Sequence, residues 1–81
     1  MEGIVTLINK HQRAAVATDG GYTVFDIEDG TVAIGDVLIG ELDSHGSQIL
    51  RNATSGTNLS VNVEAFFADR ANAIYLLQRR K

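Results

Sequence analysis

Short apolar runs rich in β-branched residues, separated by turn residues, make up most of the chain. The clearest run is Leu59 to Val63, in which apolar and polar residues alternate strictly, as in a strand with one buried face. Such runs at intervals of about 8–12 residues are typical of a small β-barrel or β-sandwich. The predicted strands are residues 3–9, 13–18, 22–28, 37–42, 48–53 and 59–63. We therefore predict a mainly β fold, a small five- to six-stranded antiparallel OB-like Greek-key barrel with a C-terminal helix.

Asp29 and Gly30 form the strongest local turn signal. An Asp-Gly pair between apolar runs favours a type I′ turn, because that turn needs a positive φ at both central residues. We therefore predict a tight hairpin between residues 22–28 and 31–34 at the centre of the fold.

The pattern changes at Glu64, where a segment without glycine or proline begins. Four apolar residues there recur at helical spacing: Phe67, Ala71, Ile74 and Leu77. We predict a single domain, with the OB-like barrel in residues 1–63 and a C-terminal helical segment in residues 64–81. A last strand over residues 73–77 remains the alternative, and the basic residues 79–81 are interpreted as a solvated end.

Charge and composition narrow the classes of partner. The formal charge is −3, and seven of the ten acidic residues lie between positions 19 and 43, a stretch without lysine or arginine. Proteins that depend on phosphate contacts are usually basic on at least one face, so only small basic patches are expected here. Cysteine is absent, which excludes disulfides and thiolate ligands. No apolar run approaches a membrane span, and we expect a cytoplasmic protein without membrane contact.

Two short stretches resemble the cold-shock domain. Gly3, Val5 and Asn9 match the spacing of that family's first strand, and Val24 and Phe25 match part of its third-strand signature. The resemblance implies an OB-type barrel that binds single-stranded nucleic acid by stacking bases on surface aromatic rings, each worth about 1–3 kcal/mol. Most ring positions of the family are aliphatic here.

Two binding functions follow from these patterns. The first is weak binding of single-stranded RNA or DNA by residues near the first turn and the third strand. Its predicted contacts are Lys10, His11, Arg13, Tyr22, Phe25 and Arg51. The burial of Phe25 in the barrel core is the competing interpretation of that residue.

The second function is a protein-interaction or self-assembling module, for example a homodimer. It is indicated by an apolar C-terminal segment larger than a small barrel needs to cover itself. The predicted interface residues are Phe66, Phe67, Ile74, Tyr75 and Leu77.

Catalytic and metal chemistry find little support in the sequence. His11 and His45 are the only histidines, and both lie in predicted turns. No phosphate-binding glycine loop, nucleophile motif or calcium loop is present. We therefore predict a protein that is not an enzyme, with no catalytic residues, no metal site and no cofactor.

Overall fold

Six antiparallel strands close into a barrel in the computed structural model, which describes residues 1–78. The elements are β1 (Glu2–Ile8), β2 (Arg13–Thr18), β3 (Gly21–Asp29), β4 (Val37–Ile39), β5 (Gly46–Asn52), β6 (Thr57–Ala68) and α1 (Arg70–Gln78). Around the barrel the order is β1-β2-β3-β6-β5-β4, and β4 pairs with β1 to close it. The predicted mainly β barrel with a C-terminal helix is confirmed.

The predicted hairpin at Asp29-Gly30 is wrong. Strand β3 pairs with β2 and β6, whereas the chain after Gly30 crosses the barrel to β4, which pairs with β1 and β5. Gly30 does have a positive φ of 106°. A Cβ there would lie 2.8 Å from the Cβ of Leu59, so the glycine permits a close crossing of two chain segments.

The barrel interior is filled by side chains from all six strands. Phe25 is the largest of them, and it is fully buried. The other buried members of this cluster are Val5, Ala14, Val16, Leu38, Leu42, Leu50, Leu59, Val61 and Val63. The small Ala14 leaves space for larger neighbours, which keeps the interior closely packed.

A bulge in β1 changes which face its side chains point to. The register shifts between Val5 and Leu7, so Thr6 is an extra residue in this strand. Before the bulge Ile4 faces outward and Val5 inward, as their exposure shows. After it, Leu7 pairs with Ala15 and joins a second apolar cluster on the outside of the barrel.

Strand β6 continues through Ala68, so the prediction of a helix from residue 64 is wrong for residues 64–68. The register of β6 against β3 shifts there, and Phe67 has a φ of 58°, which is rare for a bulky side chain. The helix begins at Arg70, because the Asp69 side chain caps it by accepting a hydrogen bond from the Asn72 N–H at 2.8 Å. Residues 79–81 lie outside the described residues.

Helix α1 covers the outside of β2 and β3. Ala73 and Leu77 are buried against Ala15 and Val24, and the two alanines allow the helix to approach the sheet closely. Within residues 1–78 no helix has the length and hydropathy that crossing a membrane would require.

A buried ion pair lies under the last turn of α1. Arg13 donates to both carboxylate oxygens of Asp26, at 2.8 and 3.0 Å, and the side chains of the pair are 8% and 6% exposed. The same guanidinium donates to the Leu76 carbonyl at 2.9 Å, and the Asn9 amide donates to the Leu77 carbonyl. The hydrogen bond from Arg13 to Asp26 raises the pKa of the arginine, which stays charged. The barrel thereby supplies donors for carbonyls that a helix end leaves unsatisfied.

Replacing Arg13 tests this anchoring. We expect R13A to lower the free energy of unfolding by about 3–5 kcal/mol, because it leaves the buried Asp26 without its cation. K10A, an exposed cation of the same turn, is the control and should change stability by less than about 0.5 kcal/mol. Urea unfolding followed by circular dichroism measures both variants. Equal midpoints for R13A and K10A would contradict the anchoring role.

Candidate interaction surface

Two of the predicted nucleic-acid contacts are inside the protein. Phe25 is 0% exposed in the barrel core, and Arg13 is 6% exposed and bonded to Asp26. Neither side chain can stack on a base or reach a phosphate without unfolding part of the barrel. Burial of Phe25, the competing interpretation, is what the structure shows.

The other predicted contacts do not share one face. Lys10 and His11 follow the end of β1, whereas Arg51 lies beside Ile39, whose other neighbour is Glu2 at the start of β1. Strand β1 has seven residues, so its two ends lie about 20 Å apart.

Tyr22 lies on the outside of β3, and its hydroxyl accepts a hydrogen bond from Arg70 at 3.1 Å. It belongs to the helix-covered side of the barrel, four residues along β3 from Asp26. Nucleic-acid binding stays a prediction, and this geometry supplies no single surface for it.

Most residues of the predicted C-terminal interface pack against the barrel of their own chain. Leu77 is buried, and Ile74 and Phe66 are half-buried. The Phe66 ring packs against the barrel interior and lies 4.6 Å from the His45 ring. Phe67 and Tyr75 remain exposed, at 47% and 60%. This segment therefore mainly covers the barrel.

Outward-facing aliphatic side chains form a surface on β1, β4 and β5, opposite the helix. Ile4 pairs with Val37, Ile39 follows on the same face of β4, and Ile49 is the diagonal neighbour of Ile39 on β5. Ile4, Ile39 and Ile49 are 52%, 41% and 69% exposed. We call the four residues Ile4, Val37, Ile39 and Ile49 the isoleucine face.

Two opposite charges flank the isoleucine face. Ile39 has Glu2 beside it on β1 and Arg51 beside it on β5. Both charged residues are exposed, and within residues 1–78 neither forms an ion pair. The surface therefore has an apolar centre with one acidic and one basic edge.

Sequence reasoning does not single out the isoleucine face, because isoleucine and valine are also ordinary strand-forming residues. A signal was present: Ile49 lies between Ser47 and Arg51 at every second position, so it shares the outward face of two polar residues. Ile4 stands in the same way between Glu2 and Thr6. The bulge at Thr6 and the closed strand order bring these positions together, and neither is visible in the local pattern.

A buried asparagine holds the short strand β4 in place. The Asn52 amide donates to the Asp36 carboxylate at 2.8 Å, and its oxygen accepts from the N–H groups of Thr54 and Ser55. Thr54 in turn accepts a hydrogen bond from the Val37 N–H at 3.0 Å. Strand β4 has only three residues, and these bonds attach its first residue, Val37, and the preceding Asp36 to the chain at the end of β5.

No family model matches the chain, and no curated protein or solved structure is significantly similar to it. The resemblance to the cold-shock domain and the OB-fold assignment therefore stay predictions. Within residues 1–78 no group of three or more histidine, aspartate or glutamate side chains is placed to hold a metal ion.

The Asn52 bond can be tested through the titration of Asp36. Hydrogen bonds from Asn52 and from the Ala33 N–H lower the pKa of Asp36, in that order of importance. We expect N52A to raise this pKa toward its ordinary value while the Ala33 bond keeps part of the shift. The ¹³C shift of the carboxyl carbon, followed against pH by NMR, measures it. N62A, a half-buried asparagine on β6, is the control and should leave the titration unchanged.

The sign of the linked stability follows from the same shift. A carboxyl whose pKa is lower in the folded state stabilises the protein above its unfolded pKa of about 3.9 and loses that contribution as the pH falls through the folded value. In N52A this acid-sensitive part of the free energy of unfolding should shrink. An Asp36 pKa identical in N52A and wild type would show that the bond does not form.

Proposed function

We propose that this chain is a non-enzymatic protein-interaction module that forms homodimers through the isoleucine face. The observation that carries the proposal is the contiguous aliphatic surface on three neighbouring strands, exposed on the side of the barrel that α1 leaves bare. Contiguous exposed apolar surface of this kind is typical of interaction sites.

The closed strand order limits how a second copy can attach. All six strands have two hydrogen-bonded neighbours, so the described barrel offers no open edge for strand addition. Association must then use side chains on the outside of the barrel. The isoleucine face is suited to this because two sheets can pack face to face at about 10 Å.

The flanking charges favour a second copy of the same chain as the partner. In a dimer with a two-fold axis parallel to β4 and passing over Ile39, the axis exchanges the two edges of the face. Glu2 of one copy then lies opposite Arg51 of the other, and this contact occurs twice. One patch is thus complementary to itself, which an isologous dimer requires.

The expected affinity is modest. Complete burial of one isoleucine contributes about 1.5–3 kcal/mol, so six partly exposed isoleucines in the dimer contribute on the order of 5–10 kcal/mol. Association costs about 4–15 kcal/mol in lost motion, and the two ion pairs each add at most about 1 kcal/mol. The net gain is therefore at most about 8 kcal/mol, so we expect a dissociation constant between the micromolar and millimolar ranges.

Replacing the central residue of the face should abolish the dimer. In I39D two carboxylates would face each other at the centre in place of the two isoleucine side chains, and we expect the dissociation constant to rise by at least about 30-fold, or 2 kcal/mol. Light scattering coupled to size-exclusion chromatography at several concentrations measures it. Y75D, an exposed position on the helix, is the control and should still form dimers. A wild type that stays monomeric at millimolar concentration would refute the proposal.

Charge reversal tests the orientation of the two copies. E2R and R51E should each weaken the dimer, because each brings like charges together across the axis. The double variant E2R/R51E exchanges the edges and should restore affinity to near the wild-type value. Additive losses in the double variant would show that Glu2 and Arg51 do not meet across the interface.

A further inference from the structure

A groove of about 520 Å³ lies between the end of α1 and the first turn of the chain. Its lining residues are Leu7, Asn9, Lys10, His11, Ile74, Leu77 and Gln78. The volume falls in the range of small-molecule sites, about 300–1,000 Å³. The lining comes from two short segments of five residues each, 7–11 and 74–78, so the groove fits one small ligand better than an extended peptide.

The floor of the groove is apolar because the fold brings three aliphatic side chains together there. The bulge at Thr6 turns Leu7 to the outside of the barrel, where it belongs to one apolar cluster with Leu77 and lines the groove together with Ile74. Leu77 is 8% exposed, and Leu7 and Ile74 are half-buried. An aliphatic chain placed here would cover the exposed parts of Leu7 and Ile74.

The rim of the groove favours an anion. Lys10 and His11 line it, and none of the ten acidic residues of the chain does. A helix C-terminus ordinarily repels anions, since its free carbonyls carry partial negative charge. Here the guanidinium of Arg13 and the amide of Asn9 already occupy the carbonyls of Leu76 and Leu77. Those donors reduce the repulsion at the end of α1 that borders the groove.

We propose that this groove binds a small amphipathic carboxylate, such as a medium-chain fatty acid. The alkyl chain lies over Leu7, Ile74 and Leu77, and the carboxylate meets the ammonium group of Lys10, with the ring of His11 beside it. The groove is on the helix side of the barrel and shares no residue with the isoleucine face. The ligand site and the dimer can therefore be tested independently.

An NMR titration of the ¹⁵N-labelled protein with sodium octanoate, below its micelle concentration, tests the proposal. We expect saturable shifts concentrated at residues 7–11 and 74–78. Octan-1-ol, with the chain but no charge, should bind more weakly, and acetate, with the charge but no chain, should cause no saturable shift. Octyltrimethylammonium, with the opposite charge, should not compete with octanoate.

Variants separate the two halves of the site. K10Q should weaken octanoate binding about two- to fivefold, as expected for an exposed ion pair, and should leave octan-1-ol binding unchanged. R70Q removes the same charge at the start of α1, outside the lining of the groove, and should have no effect. I74S should weaken both ligands while circular dichroism shows a folded barrel.

Three results would overturn the proposal. Octanoate shifts that are centred on Ile4, Ile39 and Ile49 would mean that the chain only adheres to the isoleucine face. Equal affinity for octanoate and octan-1-ol would refute the carboxylate contact. Shifts that never saturate would show that the groove does not form a site.

Discussion

The buried pair of Arg13 and Asp26 determines which side of the barrel is covered. The guanidinium joins β2, β3 and the last turn of α1, since it bonds both the carboxylate and the Leu76 carbonyl. A buried ion pair is not in itself strong evidence of stability, because its desolvation offsets much of the attraction. Its consequence here is directional: the helix is held on β2 and β3, and the outside of β1, β4 and β5 stays open. The isoleucine face stays exposed because the helix packs on the other side of the barrel.

The bulge at Thr6 divides the apolar residues of one short strand between three environments. Ile4 faces solvent, Val5 faces the barrel interior and Leu7 faces the helix. If the same residues formed a regular strand without the bulge, Leu7 would point to the interior, since strict alternation puts it on the same side as Val5. The groove beside α1 would then lose its floor. One inserted residue thus links the core, the open face and the proposed ligand site.

Much of the barrel could be predicted from the sequence, because most strands can be recognised from their own residues. The alternation in residues 59–63 and the β-branched runs before it reflect burial of one face, which each strand carries in its own residues. The hairpin at Gly30 and the helix start at Glu64 were wrong because they depend on distant contacts. Gly30 allows the chain to pass close to Leu59, and β6 continues to Ala68 because β3 pairs with it that far. The burial of Arg13 could not be predicted from the sequence for the same reason, because its buried partner Asp26 is thirteen positions away.

Whether two copies of the chain meet at the isoleucine face is tested most directly by an isotope-filtered NOE experiment. A sample would combine equal amounts of ¹³C-labelled and unlabelled protein at millimolar concentration. We expect NOEs between the methyl groups of Ile39 in different copies. Intermolecular NOEs that involve only Phe67 and Tyr75, or none at all, would contradict it.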